Sequence, residues 1–243
     1  MGALKLEPKK RGRKAPAERP QEDSRSAILK AALFEFAAEG VAGARTERIA
    51  SAAGVNIAML FYHFKNKEQL YGAVLEQVFV GLTQAVLPAL ERKASPTERL
   101  LAYIRAHFDY VAESPTRPCL VQREMMRAGR SGSPHLRKLV KLYFAPIQDK
   151  FTALLEEGMA SGEFHEADRQ NLLYSIAGVI NSYFTSRPVI EVLSGTNPLT
   201  PARIEKRKQQ VIQFLSNALL RGSPRIADAG KNGLEGKARN EQV

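Results

Sequence analysis

Four histidines, one cysteine and a pair of adjacent glutamates are the side chains in this sequence best suited to catalysis or to binding a metal ion. Cys119 follows a proline, and nothing in the sequence places a histidine base beside it. Glu156 and Glu157 are typical of the solvated face of a helix. We therefore expect no enzyme, no metal site and no cofactor, although a helical enzyme that binds a small molecule remains an alternative. The histidines are scattered, without the spacing of metal ligands: they are His63, His107, His135 and His165.

Positive charge is concentrated at the N-terminal end of the chain. The formal net charge of the 243 residues is +11, and residues 1–67 hold 13 Lys and Arg against 7 Asp and Glu. Such an excess favours a polyanionic partner for this segment. A solvated basic surface would explain the charge equally well.

Neither membrane insertion nor secretion is expected. The longest apolar stretches are interrupted by charged residues or proline well short of the roughly 20 residues that a membrane span needs. The N-terminal segment MGALKLEPKKRGRKAPAERP lacks the apolar region of a secretory signal. The single cysteine excludes an internal disulfide bond. These features predict a cytoplasmic protein without a membrane partner.

Apolar residues recur at helical spacing through most of the chain, and no stretch alternates as a β-strand would. We expect an all-α fold, with an N-terminal three-helix unit at 22–67 and a larger helical domain at 68–221. The ends, 1–21 and 222–243, have the composition of a disordered basic arm and a flexible tail. The expected helices cover 24–39, ending at Gly40, a short stretch from Thr46, another after Asn56, 67 to Pro88, 96–113, 117–128, 134–161, 166–187 and 200–220.

Two short helices joined by a tight turn give the N-terminal unit a helix-turn-helix pattern. The first is expected at about Thr46–Ala53, the turn at Gly54 and Val55, and the second at about Asn56–Phe61. The second helix of such a unit enters the major groove of DNA. We therefore expect Val55, Leu60 and Phe64 to face the core, and Ile57, Ala58, Met59 and Tyr62 to face outward.

The segments SAILKAALFEFAAEG, TERIASAAGV and LFYHFKNKEQLY together resemble the DNA-binding domain of the TetR/AcrR family of bacterial transcriptional regulators. The resemblance covers about residues 24–75. It implies a homodimeric, ligand-responsive regulator, expected to be a repressor that binds a palindromic operator and is released by a small-molecule effector. The sequence departs from the family at Ala58 and Phe61, where Gly and Tyr are frequent.

The resemblance also implies a set of DNA contacts. Thr46 and Lys67 are expected to bind phosphates near helix N-termini, where backbone N–H groups and the helix dipole favour an anion. Residues 57–59 correspond to variable reading positions, and Asn56 is expected to cap the second helix, to contact DNA, or both. The full predicted set is Arg45, Thr46, Arg48, Asn56, Ile57, Ala58, Met59, Tyr62, His63, Lys65 and Lys67.

The predicted reading residues Ile57, Ala58 and Met59 cannot form bidentate hydrogen bonds with bases. Their available contact is apolar, for example with a thymine methyl group. Specificity is then expected to depend also on polar neighbours and on DNA shape. Packing of Ile57 and Met59 against neighbouring helices is the alternative.

A second basic segment, KKRGRKA at 9–15, suits a narrow minor groove, which attracts arginine through its negative potential. A solvated tail is an equally good explanation. The residues expected to enter the groove are Arg11, Arg13 and Lys14.

The larger domain is expected to hold an effector pocket, because methionine and aromatic side chains suit an adaptable apolar cavity. Ordinary core packing is the alternative for each of them. The candidates are Tyr103, His107, Tyr110, Arg123, Met125, Met126, Tyr143, Phe144, Tyr174, Asn181 and Phe184.

The resemblance places the dimer interface on the helices at about 166–187 and 200–220. Ile176 and Ile180 belong to an apolar stripe on the first, and Val211 and Leu215 to one on the second. Either stripe could equally be core within one chain. A nonspecific basic DNA-binding protein is a further alternative for the whole chain, but it would have no need of the large helical domain.

Overall fold

The computed structural model describes residues 21–222, so the predicted arm before Gln21 and tail after Gly222 lie outside the described residues. Within that range the chain is helical, with one isolated antiparallel bridge between Phe164 and Leu220 and no β-strand, which confirms the all-α prediction. The helices are α1 (Gln21–Gly43), α2 (Thr46–Ala53), α3 (Ile57–His63), α4 (Lys67–Glu91), α5 (Pro96–Glu113), α6 (Thr116–Ser131), α7 (Leu136–Leu139), α8 (Ala145–Ala160), α9 (Leu172–Thr185), α10 (Arg187–Ser194) and α11 (Pro201–Leu219).

The first core joins α1, α2 and α3 to the first half of α4. Phe36, Ile49 and Leu60 are fully buried in it, and the ring of Phe36 meets that of Tyr71 edge to face at 5.0 Å. α1 loses its helical geometry at the glycine predicted to end it, because Gly40 has φ +67°, a conformation that side chains disfavour. The chain can therefore turn into α2 without a long loop.

The second core is built from the second half of α4 together with α5, α8, α9 and α11. Ile176 and Ile180 of α9 are fully buried in it, and Val211 and Leu215 of α11 are buried almost completely. The two apolar stripes that could have formed a dimer interface are therefore core within one chain.

α4 contributes to both cores, which explains its apolar composition. It is the one helix of the described residues long and apolar enough to cross a membrane by length and composition. Its residues Leu70 and Val74 are buried in the first core, and Val86 and Leu90 in the second. The helix also continues to Glu91, so the predicted end at Pro88 is wrong: this proline lies inside the last turn, where it removes the N–H that would donate to the carbonyl four residues earlier but does not end the helix.

Other predicted helix boundaries also differ from the structure. The helix expected at 134–161 begins at Leu136 and widens into a π-helical turn at Val140–Phe144, since Pro146 has no N–H to continue the α-helical ladder. The helix expected to start at 166 starts at Leu172, because the Asp168 carboxylate accepts the N–H groups of Gln170 and Asn171 in a preceding turn.

The sequence pattern did not indicate α10. Pro188 was expected to stop the preceding helix, but it lies in the first turn of a new one, a position where proline is favourable. The sequence thus predicted correctly that a helix ends near this proline. It did not predict that another helix begins there.

Gly158 of α8 tests how tightly the second core is packed. A Cβ at this buried position would overlap the ring of Phe164. The backbone N–H of Phe164 also donates to the Gly158 carbonyl at 2.9 Å, which holds the ring close. We expect Gly158→Ala to lower the free energy of unfolding by about 1–3 kcal/mol, since the ring must move. Gly129→Ala is the matched control, because α6 leaves open space there, and it should be neutral or stabilise by up to about 1 kcal/mol. Urea unfolding measures both, and equal effects of the two substitutions would contradict the packing described.

Candidate DNA-binding surface

The turn between α2 and α3 has the geometry of a helix-turn-helix. Gly54 adopts a left-handed conformation with φ +68°, and the N–H of Val55 donates to the Ala50 carbonyl at 3.0 Å. Asn56 then caps α3, its side-chain oxygen accepting the Met59 N–H at 2.7 Å. The structure therefore supports the expected capping role of Asn56.

The two sides of α3 are clearly distinguished by burial. Leu60 is fully buried, as is nearly all of Phe64 just after the helix, so both face the core as expected. The opposite side carries Ile57 with 38% of its surface exposed, Tyr62 with 69%, and the exposed Ala58. Met59 lies half-buried at the edge of this face.

Phe61 belongs to the same exposed face, with 42% of its surface accessible, and the predicted set of contacts omits it. Its position four residues after Ile57 places the two side chains one helical turn apart. That spacing is the signal in the sequence that places Phe61 on the same side of the helix as Ile57. We call Ile57, Ala58, Phe61 and Tyr62 the α3 face.

Exposed cations flank the α3 face in the chain. Arg45 and Arg48 lie at the start of α2, and Lys65 follows the residue that caps the end of α3. The carboxylate of Glu35 on α1 accepts the backbone N–H of Arg45 at 3.0 Å and lies 3.9 Å from the Arg48 guanidinium. α1 therefore fixes both the start of α2 and the side on which Arg48 lies. Thr46 is in the first turn of α2, half-buried.

Lys67 has an internal role that the sequence did not indicate. Its ammonium donates to the carbonyl oxygens of Ala42 and Ala44, each at 3.1 Å, at the end of α1. An ammonium group has three donors, so two serve to hold α1 against α4. The expected phosphate contact of Lys67 stays a prediction.

His63 packs between its neighbours. Its ring centroid lies 5.5 Å from that of Tyr62 and 6.2 Å from that of Phe64. Its Nε2 atom is buried without a hydrogen-bond partner among the described residues. The expected phosphate contact of His63 also stays a prediction, and the minor-groove residues Arg11, Arg13 and Lys14 lie outside the described residues.

Three of the predicted effector residues lie deep in the second core. Tyr103 and His107 are buried, and the Tyr103 hydroxyl is 3.3 Å from His107 Nδ1. Burial in this apolar surrounding lowers the pKa of His107 to about 4 and raises the pKa of Tyr103. Phe184 packs against Phe108, with ring centroids 5.5 Å apart.

The other candidates occupy separate places. The Tyr110 hydroxyl donates to the Val78 carbonyl at 2.6 Å, and the Tyr143 hydroxyl donates to Glu76 at 2.9 Å. The exposed Tyr174 ring stacks on Phe144 at 5.8 Å. Asn181 is half-buried on α9, while Met125 and Met126 are exposed on α6. Within residues 21–222 the predicted set therefore does not surround one cavity.

Arg123 was predicted to line the effector pocket, but its guanidinium binds the DNA-binding unit. It donates to the carbonyl oxygens of Ala37 and Ala38 on α1, at 2.6 and 2.5 Å. The Arg123 side chain thus ties α6 to the end of α1.

A group of polar side chains joins α4 to α6 and α7 beside this contact. Glu124, almost completely buried, accepts hydrogen bonds from the hydroxyls of Tyr71, at 3.0 Å, and Ser133. Glu68 lies 2.9 Å from the Arg127 guanidinium and 3.0 Å from His135 Nε2. We call these residues the junction cluster: Glu68, Tyr71, Glu124, Arg127, Ser133 and His135.

Two open clefts of the described residues are lined by none of the predicted pocket residues. One, of about 210 Å³, adjoins the junction cluster between α4 and α7. Gly72 makes room there, because a Cβ would approach His135 to 2.5 Å. The first is lined by Gln69, Gly72, Ala73, Glu76, His135, Lys138 and Leu139, and the second, of about 400 Å³, by Glu156, Met159, Ala160, Glu166 and Arg169.

Two family descriptions match the chain over most of its helical part. Bacterial regulatory proteins of the tetR family match residues 28–74, and the tetracyclin repressor-like C-terminal domain matches residues 96–215. The chain belongs to the tetR family. It is a ligand-responsive, DNA-binding transcriptional regulator, and the resemblance noted from the sequence is confirmed. The family is one of transcriptional regulators, which agrees with the expectation that the chain is not an enzyme.

One protein of known sequence and two solved structures illustrate the similarity of this chain to known proteins. The HTH-type transcriptional regulator RutR of Escherichia coli strain K12 is 32% identical over 171 residues, covering 70% of this chain and 78% of RutR. PfmR, a TetR family regulator from Thermus thermophilus, has a TM-score of 0.63 at 25% identity, covering 82% of this chain and 99% of PfmR. AibR, in complex with isovaleryl coenzyme A and operator DNA, has a TM-score of 0.63 at 20% identity, covering 79% of this chain and 97% of AibR.

The buried His107 predicts a pH dependence of stability. Its pKa falls from 6.5 to about 4 on folding, so the unfolded chain binds more protons between these values. Stability is therefore fully present above pH 6.5 and decreases as the pH falls, by about 2 kcal/mol between pH 7 and pH 5 from this residue. Urea unfolding at the two pH values measures the change. His107→Leu should show a smaller difference between them, and an unchanged difference would contradict the buried neutral imidazole.

Proposed function

We propose that this regulator is a homodimeric repressor, located in the cytoplasm, that binds a palindromic operator and is released by a small-molecule effector. The observation that carries the proposal is the α3 face, exposed between cations on a helix whose other side is buried. AibR, which has the same fold, is described in complex with operator DNA and a coenzyme A ester, which supports both partners for a fold of this kind.

On the DNA, α3 is proposed to lie in the major groove. Lys65 and Arg48 then meet the phosphates on either side, and the Thr46 hydroxyl and first-turn N–H groups of α2 meet another. Tyr62, the most exposed of the large side chains on the α3 face, is assigned to the backbone or a base edge. Lys67 is assigned mainly to holding α1, with one N–H left for a phosphate.

A second copy of the chain is proposed to cover the outer sides of α9 and α11. Phe214 of α11 is 55% exposed although its helix belongs to the core, and Gly178 and Ser182 leave the outer side of α9 nearly flat. Val192 and Leu193 of α10, each 83% exposed, extend the apolar surface beside α9. A two-fold dimer can place two α3 helices about 34–36 Å apart, one turn of DNA, so that both enter the major groove on the same side of the duplex.

The effector is proposed to act from the second domain on α4 and α6. Both helices hold the DNA-binding unit, through Arg123 and through the junction cluster. A ligand that binds better when these helices are displaced shifts the equilibrium toward that arrangement, by no more than its differential affinity. The cleft between α4 and α7 offers a place for such a ligand, because it opens directly beside His135.

Selection of bound fragments from genomic DNA, repeated with candidate effectors, tests the proposal as a whole. A palindromic site released by one compound is the expected result. Equal, salt-sensitive binding to every fragment would instead support a nonspecific DNA-binding protein. Turnover of a compound without DNA binding would support an enzyme.

Gly178→Arg tests the dimer separately. Position 178 faces open space, so the arginine should leave the fold of one chain intact while preventing close approach of a second copy. We expect a monomer in sedimentation experiments and operator binding weakened by at least about tenfold, because one half-site contact is lost. Gly129→Arg is the matched control, since Gly129 lies in α6 with equally open surroundings. A dimer that persists in Gly178→Arg would exclude this surface.

A further inference from the structure

The α3 face offers very few hydrogen-bonding groups to DNA. Ile57, Ala58 and Phe61 have none in their side chains, and the Tyr62 phenol is the remaining polar group on the face. The first three form a continuous apolar surface, because they are spaced one residue or one turn apart on the helix. In the major groove, this surface would present only carbon atoms to the base edges. Bidentate recognition of a base requires an amide or a guanidinium group, which the surface lacks.

The buried side of α3 fixes this surface in place. Leu60 is fully enclosed by the first core, and the Asn56 cap holds the first turn of the helix. Ile57 is exposed and does not belong to the first core, which answers the alternative that it packs against neighbouring helices. The apolar side chains are therefore displayed outward by a rigid helix, and they do not become buried within the chain.

Among the groups that base pairs present in the major groove, the thymine C5-methyl is the apolar one. The N7 and O6 atoms of guanine and the N4 amine of cytosine would lose water against this surface and gain no hydrogen bond in return, which is unfavourable. We propose that this regulator recognises its operator half-sites through thymine methyl groups packed against Ile57, Ala58 and Phe61. The inference rests on the proposed operator binding and adds the chemical group that is read.

The test replaces thymidine by deoxyuridine, one position at a time, in the operator obtained by selection. Deoxyuridine pairs with adenine in the same way and lacks only the C5-methyl group. At a position that contacts the α3 face, the dissociation constant should rise about fourfold, the loss expected for one buried methyl group. Replacement at both symmetric positions should raise it roughly tenfold or more. Deoxyuridine outside the half-sites is the control and should have no effect.

A mutant cycle assigns the methyl to a side chain. In Ile57→Ala or Phe61→Ala, binding should weaken, and the deoxyuridine penalty at one position should shrink toward zero because its contact is already gone. Lys65→Ala should weaken binding and leave every deoxyuridine penalty as it was. Lys65 is exposed, and Ile57 and Phe61 keep 38% and 42% of their surfaces accessible, so circular dichroism should match the parent chain, with a modest loss of stability in urea for the two apolar truncations.

The outcomes separate this inference from the proposal on which it rests. Failure to select any DNA sequence would overturn operator binding itself. Selective binding that is indifferent to deoxyuridine at every half-site position would overturn thymine-methyl recognition alone. The deoxyuridine series needs no protein variant, so its result stands even if a substitution in α3 disturbs folding.

Discussion

The packing of α4 against α1 determines where the DNA-binding surface lies. α4 is shared by the two cores, and its first turns hold α1 through the Phe36–Tyr71 ring contact and the two hydrogen bonds of Lys67. α2 and α3 then pack on α1, so a rotation of α4 would carry the whole helix-turn-helix with it. The position of the α3 face relative to the second domain therefore depends on the packing of α4 against α1 more than on any residue of α3.

Charged side chains of the second domain also contact α1 and the first turns of α4. Arg123 binds the carbonyls of Ala37 and Ala38, just before α1 loses its helical geometry at Gly40, and the buried Glu124 accepts a hydrogen bond from Tyr71. A buried carboxylate is costly unless its hydrogen bonds are kept, so the junction cluster favours one arrangement of α6 against α4. An effector that stabilises another arrangement would act on a small set of strong contacts, and these connect directly to α1.

Features set by neighbouring residues could be predicted from the sequence. Gly54 ends α2 and Asn56 caps α3, as their residue types predict. The spacing of Leu60 and Phe64 correctly predicts the buried side of α3. Features set by tertiary placement could not be predicted. Lys67 and Arg123 both satisfy carbonyls of α1 that are distant in sequence, and the aromatic and methionine residues expected in a pocket are residue types that also fill cores or lie on surfaces. For Phe61, the sequence predicts the side of α3 through its spacing from Ile57. Its exposure, which makes it available to DNA, is known only from the structure.

Photocrosslinking with 5-iodouracil tests most directly whether the α3 face lies against thymine methyl groups in the major groove. The iodine atom occupies the position of the methyl group, and on irradiation the base joins covalently to an aromatic side chain in contact with it. With iodouracil placed in the half-sites, mass spectrometry should locate the crosslink at Phe61 or Tyr62. Efficient operator binding with crosslinks that map outside α3, or with none at any half-site position, would contradict the account.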